Sequence, residues 1–305
     1  MGDTEAVRRA HLIMNPEARN VSPAVRRVVQ AALEGHFKLE ATVTEARHAA
    51  ISVAKDALAD GNELIIAFGG DGLVNEIANG MVHSDAVLGV VPGGTMNVFA
   101  RNLGIPNDPL EAVDRILSHP DEVEPRTVSL AKANERYFTF SCGCGFDGEA
   151  ASRVEEHYPA KRRFGEPYFY AAAFSTFLAS YLRRPPFLRC DGDFGSLEGV
   201  GVIALNAGPY AYLAGRPIRL VPRDPDSDGM GIFVLNRLQW WRIPTYATGA
   251  LLTGRFGGGS DAVSGASSAA VSSHAPFYLH VDGEPLPLVD TVELVANAGS
   301  LKVIV

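Results

Sequence analysis

Two glycine-rich loops, each placed directly after a run of apolar residues, constrain the fold of this chain most. The run Leu64–Phe68 passes into Gly69-Gly70-Asp71-Gly72, and the run Val87–Val91 passes into Pro92-Gly93-Gly94-Thr95-Met96-Asn97. A helical pattern begins immediately after each loop. Short apolar strands that turn tightly into helices are typical of right-handed βαβ units around a parallel sheet. The two loops therefore predict an α/β fold.

The same alternation of strand and helix patterns runs through the first third of the chain, so we expect an α/β domain over residues 1–126. Strands are predicted at residues 11–15, 37–42, 64–68 and 87–91. Helices are predicted at residues 23–33, 45–59, 73–81, 95–102 and 109–118, with Ser22, Thr44 and Asp108 as N-caps.

The pattern changes after residue 126, where short strand-like runs separated by glycine and proline turns dominate. This predicts a larger, antiparallel β-sandwich domain over residues 127–305, whose last strand is a candidate to return to the first domain. One helix is expected near residues 167–182. The segment 254–276 is rich in glycine, serine and alanine, which predicts a mobile loop.

Composition excludes several classes of protein. The 305 residues are 47% hydrophobic and 20% charged, which is ordinary for a globular protein and unlike a disordered one. A net charge of −8 argues against a nucleic-acid binder, which needs a basic surface. No apolar run is long enough to span a bilayer, and no secretory signal is visible. Three cysteines make no even disulfide framework, so we expect a cytoplasmic protein.

Both glycine loops have the features of a phosphate cradle. Glycine permits a positive φ and lets a bulky anion approach the backbone N–H groups, while the helix that follows offers further N–H groups. In a parallel sheet both loops lie at the carboxyl edge, where α/β folds bind ligands. Thr95 and Asn97 add a hydroxyl and an amide. The alternative, glycines required for packing alone, is weaker for two loops than for one.

A carboxylate within a phosphate cradle would repel the phosphates unless a cation accompanies them. Asp71 therefore indicates a nucleotide bound with Mg²⁺ rather than a bare anion. The chain has no P-loop motif. The sequence Gly143-Cys144-Gly145-Phe146-Asp147-Gly148 matches a dinucleotide-binding pattern, but no parallel strand follows it at the required distance.

Further short motifs accompany the two loops in order along the chain: Asn15-Pro16, Thr44-Glu45, Asn75-Glu76, Ala100-Arg101, Gly145-Phe146-Asp147, Asp228-Gly229 and Asp282-Gly283-Glu284. Together with the loops they resemble the diacylglycerol kinase catalytic-domain family, which includes bacterial soluble lipid kinases and sphingosine kinases. The resemblance covers nearly the whole chain. Two positions depart from it, because Leu73 stands where many bacterial members have threonine and Arg19 stands where glycine is usual.

The resemblance implies roles for individual residues. It makes Glu284 the general base, with Asp71 as the competing assignment, and it places Asp147 at the headgroup hydroxyl of the lipid unless Asp147 is only a turn residue. It also implies a structural Mg²⁺ bound by the side chain of Asp228 and the carbonyls of Pro225 and Met230, although such an acidic turn is often merely solvated. The nucleotide-binding residues that it implies are Asn15, Pro16, Thr44, Gly69, Gly70, Asp71, Gly72, Asn75, Glu76, Gly94, Thr95 and Asn97.

The expected function is an ATP- and Mg²⁺-dependent lipid kinase that phosphorylates diacylglycerol to phosphatidic acid. Alternatives are a kinase of sphingoid bases or other lipid alcohols, an enzyme similar to NAD kinase, and a non-catalytic binder of lipid or nucleotide. Basic residues flank the apolar helix near 167–182, so that this helix either contacts the inner face of the membrane peripherally or packs in the core. A homodimer is left open.

Overall fold

The computed structural model describes residues 8–44, 46, 48–119, 124–156, 166–213, 216–221, 229–237, 239, 241, 249 and 259–305. The chain forms two compact units. The first domain comprises Met1–Val128 with Ser300–Val305, and the second comprises Ser129–Gly299.

The first domain is a parallel sheet with helices, and this prediction is confirmed. The sheet order is β2-β1-β3-β4, followed by the end of β16, in which Lys302 and Val303 pair with Val87 and Leu88. The strands are β1 (Arg9–Met14), β2 (Lys38–Val43), β3 (Leu64–Gly69) and β4 (Val87–Pro92), and the helices are α1 (Pro23–Glu34), α2 (Ala49–Ala59), α3 (Asp71–Met81), α4 (Val98–Asn102) and α5 (Pro109–Leu117).

Local chemistry explains where these helices begin. Ser22 and Asp108 cap α1 and α5 as expected, since each side chain accepts a hydrogen bond from a first-turn backbone N–H. Two other starts were predicted too early. Helix α2 begins after His48 (φ 63°) rather than behind Thr44, and α4 begins after Asn97 (φ 46°), because a left-handed residue interrupts the helical path in each case.

The second domain is an antiparallel, β-rich domain, as predicted. Its main strand order is β14-β13-β10-β7-β15-β16, while β8 pairs with β15 and β5 pairs with β16. The strands are β5 (Arg126–Ala133), β6 (Arg136–Phe138), β7 (Ser141–Gly145), β8 (Leu188–Gly192), β9 (Gly195–Gly199), β10 (Gly201–Leu205), β11 (Ala211–Leu213), β12 (Arg216–Ile218), β13 (Met230–Leu235), β14 (Ser260–Ala266), β15 (Ser268–Val281) and β16 (Glu284–Val303).

In the described part of the second domain, the helical segments beside this sheet are α6 (Phe146–Glu156), α7 (Glu166–Thr176) and the π-helical turn Phe177–Tyr181. Helix α6 was not predicted, because Gly143 and Gly145 before it and Gly148 within it resemble a turn. The predicted mobile loop was wrong from Ser260 onward, where the chain forms β14 and β15; residues 254–258 lie outside the described part. Strand β15 is hydrogen-bonded to β8 and to β16 on its two sides, so backbone pairing stabilises a sequence of small side chains.

The core of the second domain contains Cys142, Cys144 and Cys190, all of them free and buried. Burial raises the pKa of Cys190 to about 12, and a hydrogen bond from Cys142 together with burial raises that of Cys144. These thiols therefore pack as small apolar groups. Over the described residues, no helix is both long and apolar enough to cross a bilayer.

Candidate active site

Four loops of the first domain meet at the carboxyl edge of its parallel sheet. Asn15 and Pro16 follow β1, Thr44 follows β2, and the two glycine loops follow β3 and β4. Strands β1 and β3 are neighbours in the sheet, with β2 beyond β1 and β4 beyond β3. At the carboxyl ends of β1 and β3 the chain therefore turns to opposite sides, towards β2 and towards β4. Such a switch point opens a crevice that binds ligands in open α/β sheets.

Close backbone contact explains the glycines of these loops. The Gly93 N–H donates to the Gly69 carbonyl at 2.7 Å, and a Cβ added at Gly94 would stand 2.6 Å from the Cα of Gly70. A Cβ at Gly93 would collide with Val21 and stand 3.2 Å from the Cα of Gly69. The expected positive φ is absent, since Gly70 has φ −94°. The glycines bring the two loops together instead.

Asp71 joins the two loops as well. It lies in the first turn of α3, and its Oδ1 accepts the Phe99 N–H at 3.0 Å, in the first turn of α4. The amide of Asn97 closes its own loop by accepting the Gly94 N–H at 2.9 Å and donating to Asn107 at 2.8 Å. Asn97, expected to face phosphate, is buried at 3% exposure and shapes the loop.

The remaining predicted nucleotide-binding side chains also support the backbone. The carboxylate of Glu76 accepts the N–H groups of His48 and Ala50 at 3.0 and 3.1 Å, which caps the start of α2. The Asn15 Oδ1 accepts the Glu17 N–H at 2.9 Å, and the Thr44 hydroxyl donates to the Met14 carbonyl at 3.2 Å. The chemistry of this edge is therefore mainly that of backbone N–H groups held in fixed loops.

Gly72 differs from the other glycines of its loop. A Cβ added there would meet no atom within 4 Å, whereas one at Gly69 would stand 2.7 Å from Leu73. Asn75 is fully buried, and its side chain accepts from Asn79 at 3.2 Å. The start of α3 thus has one open position beside otherwise close-packed residues, which suits the approach of an anion to the helix N-terminus.

In the second domain, Asp282 and Gly283 form a tight hairpin turn between β15 and β16. Their φ angles are 49° and 79°, and Val281 pairs with Glu284 across the turn. Two consecutive residues with positive φ are typical of a type I′ turn with the sequence Asp-Gly. The buried Asp282 carboxylate accepts four hydrogen bonds of 2.7 to 3.0 Å, from the N–H and hydroxyl of Thr139 and the N–H groups of Phe140 and Ser141.

Glu284 begins β16 immediately after this turn. Its Oε2 lies 3.1 Å from Nη2 of Arg136, and both side chains are largely buried, at 13% and 15% exposure. The predicted general base is therefore a carboxylate with a defined orientation and a guanidinium partner. An ion pair with so little solvent keeps its geometry better than a surface pair.

Asp147 lies in the first turn of helix α6 and is buried, rather than in an exposed turn. Its Oδ1 accepts the Tyr210 hydroxyl at 2.5 Å, and its Oδ2 lies 2.6 Å from Nε2 of His280. Burial, followed by the Asp147 charge, raises the pKa of Tyr210 well above its ordinary value, so the phenol stays protonated and donates. Neither partner was predicted from the sequence, although His280 stands two residues before the motif residue Asp282.

Beside α6 the second domain has a cavity of about 490 Å³. The Glu149 carboxylate in its wall accepts hydrogen bonds from Arg153 and Ser180 at 2.9 and 2.8 Å. This volume is in the range of small-molecule pockets. The other residues lining it are Ser152, Glu156, Tyr168, Ala171, Ala172, Ser175 and Tyr278.

Two further predictions fall partly outside the described residues. Asp228 and Pro225 of the predicted metal turn lie outside them, while Met230 is the buried first residue of β13. Lys161–Arg163, on one side of the expected membrane helix, also lie outside. In the described part of that helix Phe174 and Leu178 are about half exposed.

Comparison with known proteins gives consistent results. Residues 9–128 match the model of the diacylglycerol kinase catalytic domain. A diacylglycerol kinase of Bacillus subtilis (strain 168) is 34% identical over 148 residues, which cover 46% of each chain. The chain thus spans about half the length of the curated relatives it matches.

Solved structures resemble the whole fold. The crystal structure of a candidate diacylglycerol kinase from Bacillus anthracis str. Sterne aligns with a TM-score of 0.75 at 24% identity, over 100% of this chain and 98% of that one. An NAD kinase from Archaeoglobus fulgidus, solved in complex with ATP, aligns with a TM-score of 0.56 at 10% identity, over 97% and 93% of the two chains. At these identities the likeness establishes the fold alone.

Proposed function

We propose that the chain is an ATP-dependent lipid kinase, on the premise that residues 9–128 match the model of the diacylglycerol kinase catalytic domain. Its proposed reaction transfers the γ-phosphoryl group of ATP to the hydroxyl of a lipid alcohol. The proposed acceptor is diacylglycerol, so that the products are phosphatidic acid and ADP. The observation that carries the proposal is the pair of interlocked glycine loops at the switch point of the parallel sheet.

The nucleotide phosphates would lie against the backbone of Gly69–Gly72 and Gly94–Thr95. The packing supports this, because side chains are excluded where the loops touch and Gly72 leaves space at the start of α3. The family also suggests Mg²⁺, which would neutralise phosphate charge when bound. Asp71 is the carboxylate proposed to face that ion. A separate, structural Mg²⁺ is proposed at Asp228 with the carbonyls of Pro225 and Met230, because oxygen ligands suit such a hard cation.

Phosphoryl transfer requires positioning, charge neutralisation and an acceptor for the hydroxyl proton. We assign the acceptor to Glu284. The lipid oxygen forms a bond to the γ-phosphorus, the bond from phosphorus to the β,γ-bridging oxygen breaks, and the hydroxyl proton passes to the Glu284 carboxylate. The ion pair with Arg136 supports this assignment, because it fixes the orientation of that carboxylate.

The cavity beside α6 supports a lipid acceptor, since its wall combines aromatic and alanine side chains with hydrogen-bonding groups around Glu149. Peripheral contact with the inner face of the membrane is part of the proposal, with the half-exposed Phe174 and Leu178 as contact residues. A cytoplasmic protein that collects its substrate from the membrane surface would have these features.

The test is phosphorylation by the full chain, with radiolabelled ATP, of diacylglycerol, sphingosine and other lipid alcohols in mixed micelles, and of NAD in solution. We expect labelled phosphatidic acid that depends on Mg²⁺. Label in sphingosine instead would change the substrate, and label in NAD would overturn the lipid assignment. Binding of ATP without turnover of any acceptor would indicate a non-catalytic protein.

A further inference from the structure

We propose that His280 is a positioning residue for Glu284, and that Asp147 acts through His280 rather than by touching the lipid. The inference rests on the proposed role of Glu284 as general base. It differs from the expectation that Asp147 meets the headgroup hydroxyl. The carrying observation is a continuous chain of hydrogen bonds, from Tyr210 through Asp147 and His280 to the backbone of the Asp282-Gly283 turn.

The hydrogen bonds fix the tautomer of His280. The Gly283 N–H donates to Nδ1 of His280 at 3.1 Å, so Nδ1 acts as an acceptor. The proton of the neutral ring is then on Nε2, which donates to the Asp147 Oδ2 at 2.6 Å. The other oxygen of Asp147 accepts from Tyr210 at 2.5 Å. One carboxylate thus determines which nitrogen of the ring faces the turn.

Burial and packing hold this arrangement in place. Exposure is 3% for His280 and 7% for Asp147. A Cβ added at Gly143 would collide with both the Asp147 Oδ2 and the His280 Nε2. Strand β7 therefore has a glycine where the pair lies across it. Since both carboxylate oxygens of Asp147 already accept hydrogen bonds from within the protein, its geometry suits support better than substrate contact.

The turn that donates the last hydrogen bond of this chain carries the proposed base. Asp282 is anchored on one side by its four hydrogen bonds, and the Gly283 N–H is held by His280 on the other. Glu284 is the next residue, so its Cα position follows from the turn, while Arg136 orients its carboxylate. A displacement of about 1 Å in a reacting group can cost about 10²-fold in rate.

Two substitutions separate the hydrogen bonds of His280. In His280→Asn the amide oxygen replaces Nδ1 and can still accept from Gly283. In His280→Gln the terminal amide replaces Nε2 and can still donate to Asp147, but the acceptor for Gly283 is lost. We expect His280→Asn to retain most of kcat and His280→Gln to lose about 10- to 100-fold in kcat, with KM for ATP and lipid unchanged. His274→Gln, at an exposed site on the same strand, is the matched control.

A double-mutant cycle tests whether the effect passes through the base. In the Glu284→Gln background, His280→Gln is expected to cause no further loss of kcat. If the two losses multiply, or if His280→Asn and His280→Gln have equal kcat, the inference is overturned. Asp147→Asn provides a second variant in case His280→Gln fails to fold. If Asp147→Asn lowers kcat at constant lipid KM, Asp147 acts through His280. If it raises the lipid KM at constant kcat, Asp147 contacts the lipid directly and the inference is overturned.

Hydrogen exchange of the Gly283 amide gives a readout that does not depend on turnover. The wild type and His280→Asn should protect this amide, and His280→Gln should exchange it faster. Equal protection in all three proteins would show that His280 does not hold the turn. If the wild type phosphorylates no acceptor, the proposed function fails, whereas the exchange measurement still decides whether His280 fixes the position of Glu284.

Discussion

Gly94 in the first domain and Gly283 in the second both stand beside proposed site residues, but for different physical reasons. A Cβ at Gly94 would stand 2.6 Å from the Cα of Gly70, so the position lacks space for any side chain. Gly283 has ample space, since a Cβ there would meet nothing within 4 Å, but its φ is 79°. Packing selects glycine in the first case and backbone conformation selects it in the second.

The proposed site carboxylates of the two domains also differ, in their hydrogen-bond partners. Asp71 and Glu76 accept backbone N–H groups of neighbouring helices. Asp147 and Glu284 instead bond to the side chains of His280 and Arg136. In the first domain these carboxylates therefore stabilise the backbone of the proposed nucleotide site. In the second domain they are themselves oriented by other side chains. We expect substitutions to damage binding in the first domain and rate in the second.

The largest expected effect concerns Glu284. Glu284→Gln keeps the shape of the side chain and removes its basicity, so kcat should fall about 10²- to 10⁴-fold while ATP affinity changes little. Steady-state kinetics and a separate ATP-binding measurement check both parts. Glu293→Gln, at an exposed position of the same strand, is the control. A variant with near-normal kcat would remove Glu284 as the base.

Substitution of Asp71 should change ATP affinity as well as kcat, because Asp71 stabilises the backbone of the proposed nucleotide site. Asp71→Asn retains Oδ1 as the acceptor for Phe99 but loses the charge beside the proposed phosphate site. We expect about 10- to 100-fold losses in both ATP affinity and kcat, the range typical of groups that support a bound metal. Asp71→Ala should also lose the hydrogen bond that the Phe99 N–H donates at the start of α4, at a cost of about 1 kcal/mol in the free energy of unfolding. Normal ATP affinity in an inactive Asp71→Asn enzyme would favour Asp71 as the base.

Gly94→Ala tests the packing of the two loops. Its Cβ must push the loops apart, which should cost about 1–3 kcal/mol in the free energy of unfolding and weaken ATP binding. Denaturant unfolding and ATP titration measure the two effects. Gly72→Ala is the stability control, because its Cβ would enter open space. Equal stability of the two variants would contradict the close packing.

The smallest effect is expected at Gly283. Gly283→Ala meets no steric obstacle but places an alanine at positive φ, which costs about 1–2 kcal/mol. Gly283→Asn should lose less, because asparagine tolerates the left-handed region. Both variants should bind ATP normally. A loss of ATP binding would contradict the expectation that substitutions in the second domain affect rate and not binding.

The residues themselves explain which features the sequence could predict. The parallel sheet and the caps at Ser22 and Asp108 depend on local patterns, which the sequence displays directly. Residues 268–276 of strand β15 were predicted as a mobile loop, because their stability as a strand comes from pairing on two sides rather than from their small side chains. The partners of Asp147 were missed because Tyr210 and His280 lie 63 and 133 residues away along the chain. The hydrogen bonds of Asn97 could not be predicted, because its left-handed backbone turns the amide into its own loop.

The pairing of Lys302 and Val303 with β4 has a consequence for the order of events during synthesis. The ribosome makes residues 300–305 only after the whole of 129–299, so the first domain emerges with one edge of its sheet incomplete. Until then β4 presents backbone N–H and C=O groups at an open edge, where another chain could add a strand. A fragment that stops at residue 128 would keep this open edge permanently. We therefore expect such a fragment to aggregate, and the addition of residues 300–305 as a peptide to suppress that aggregation.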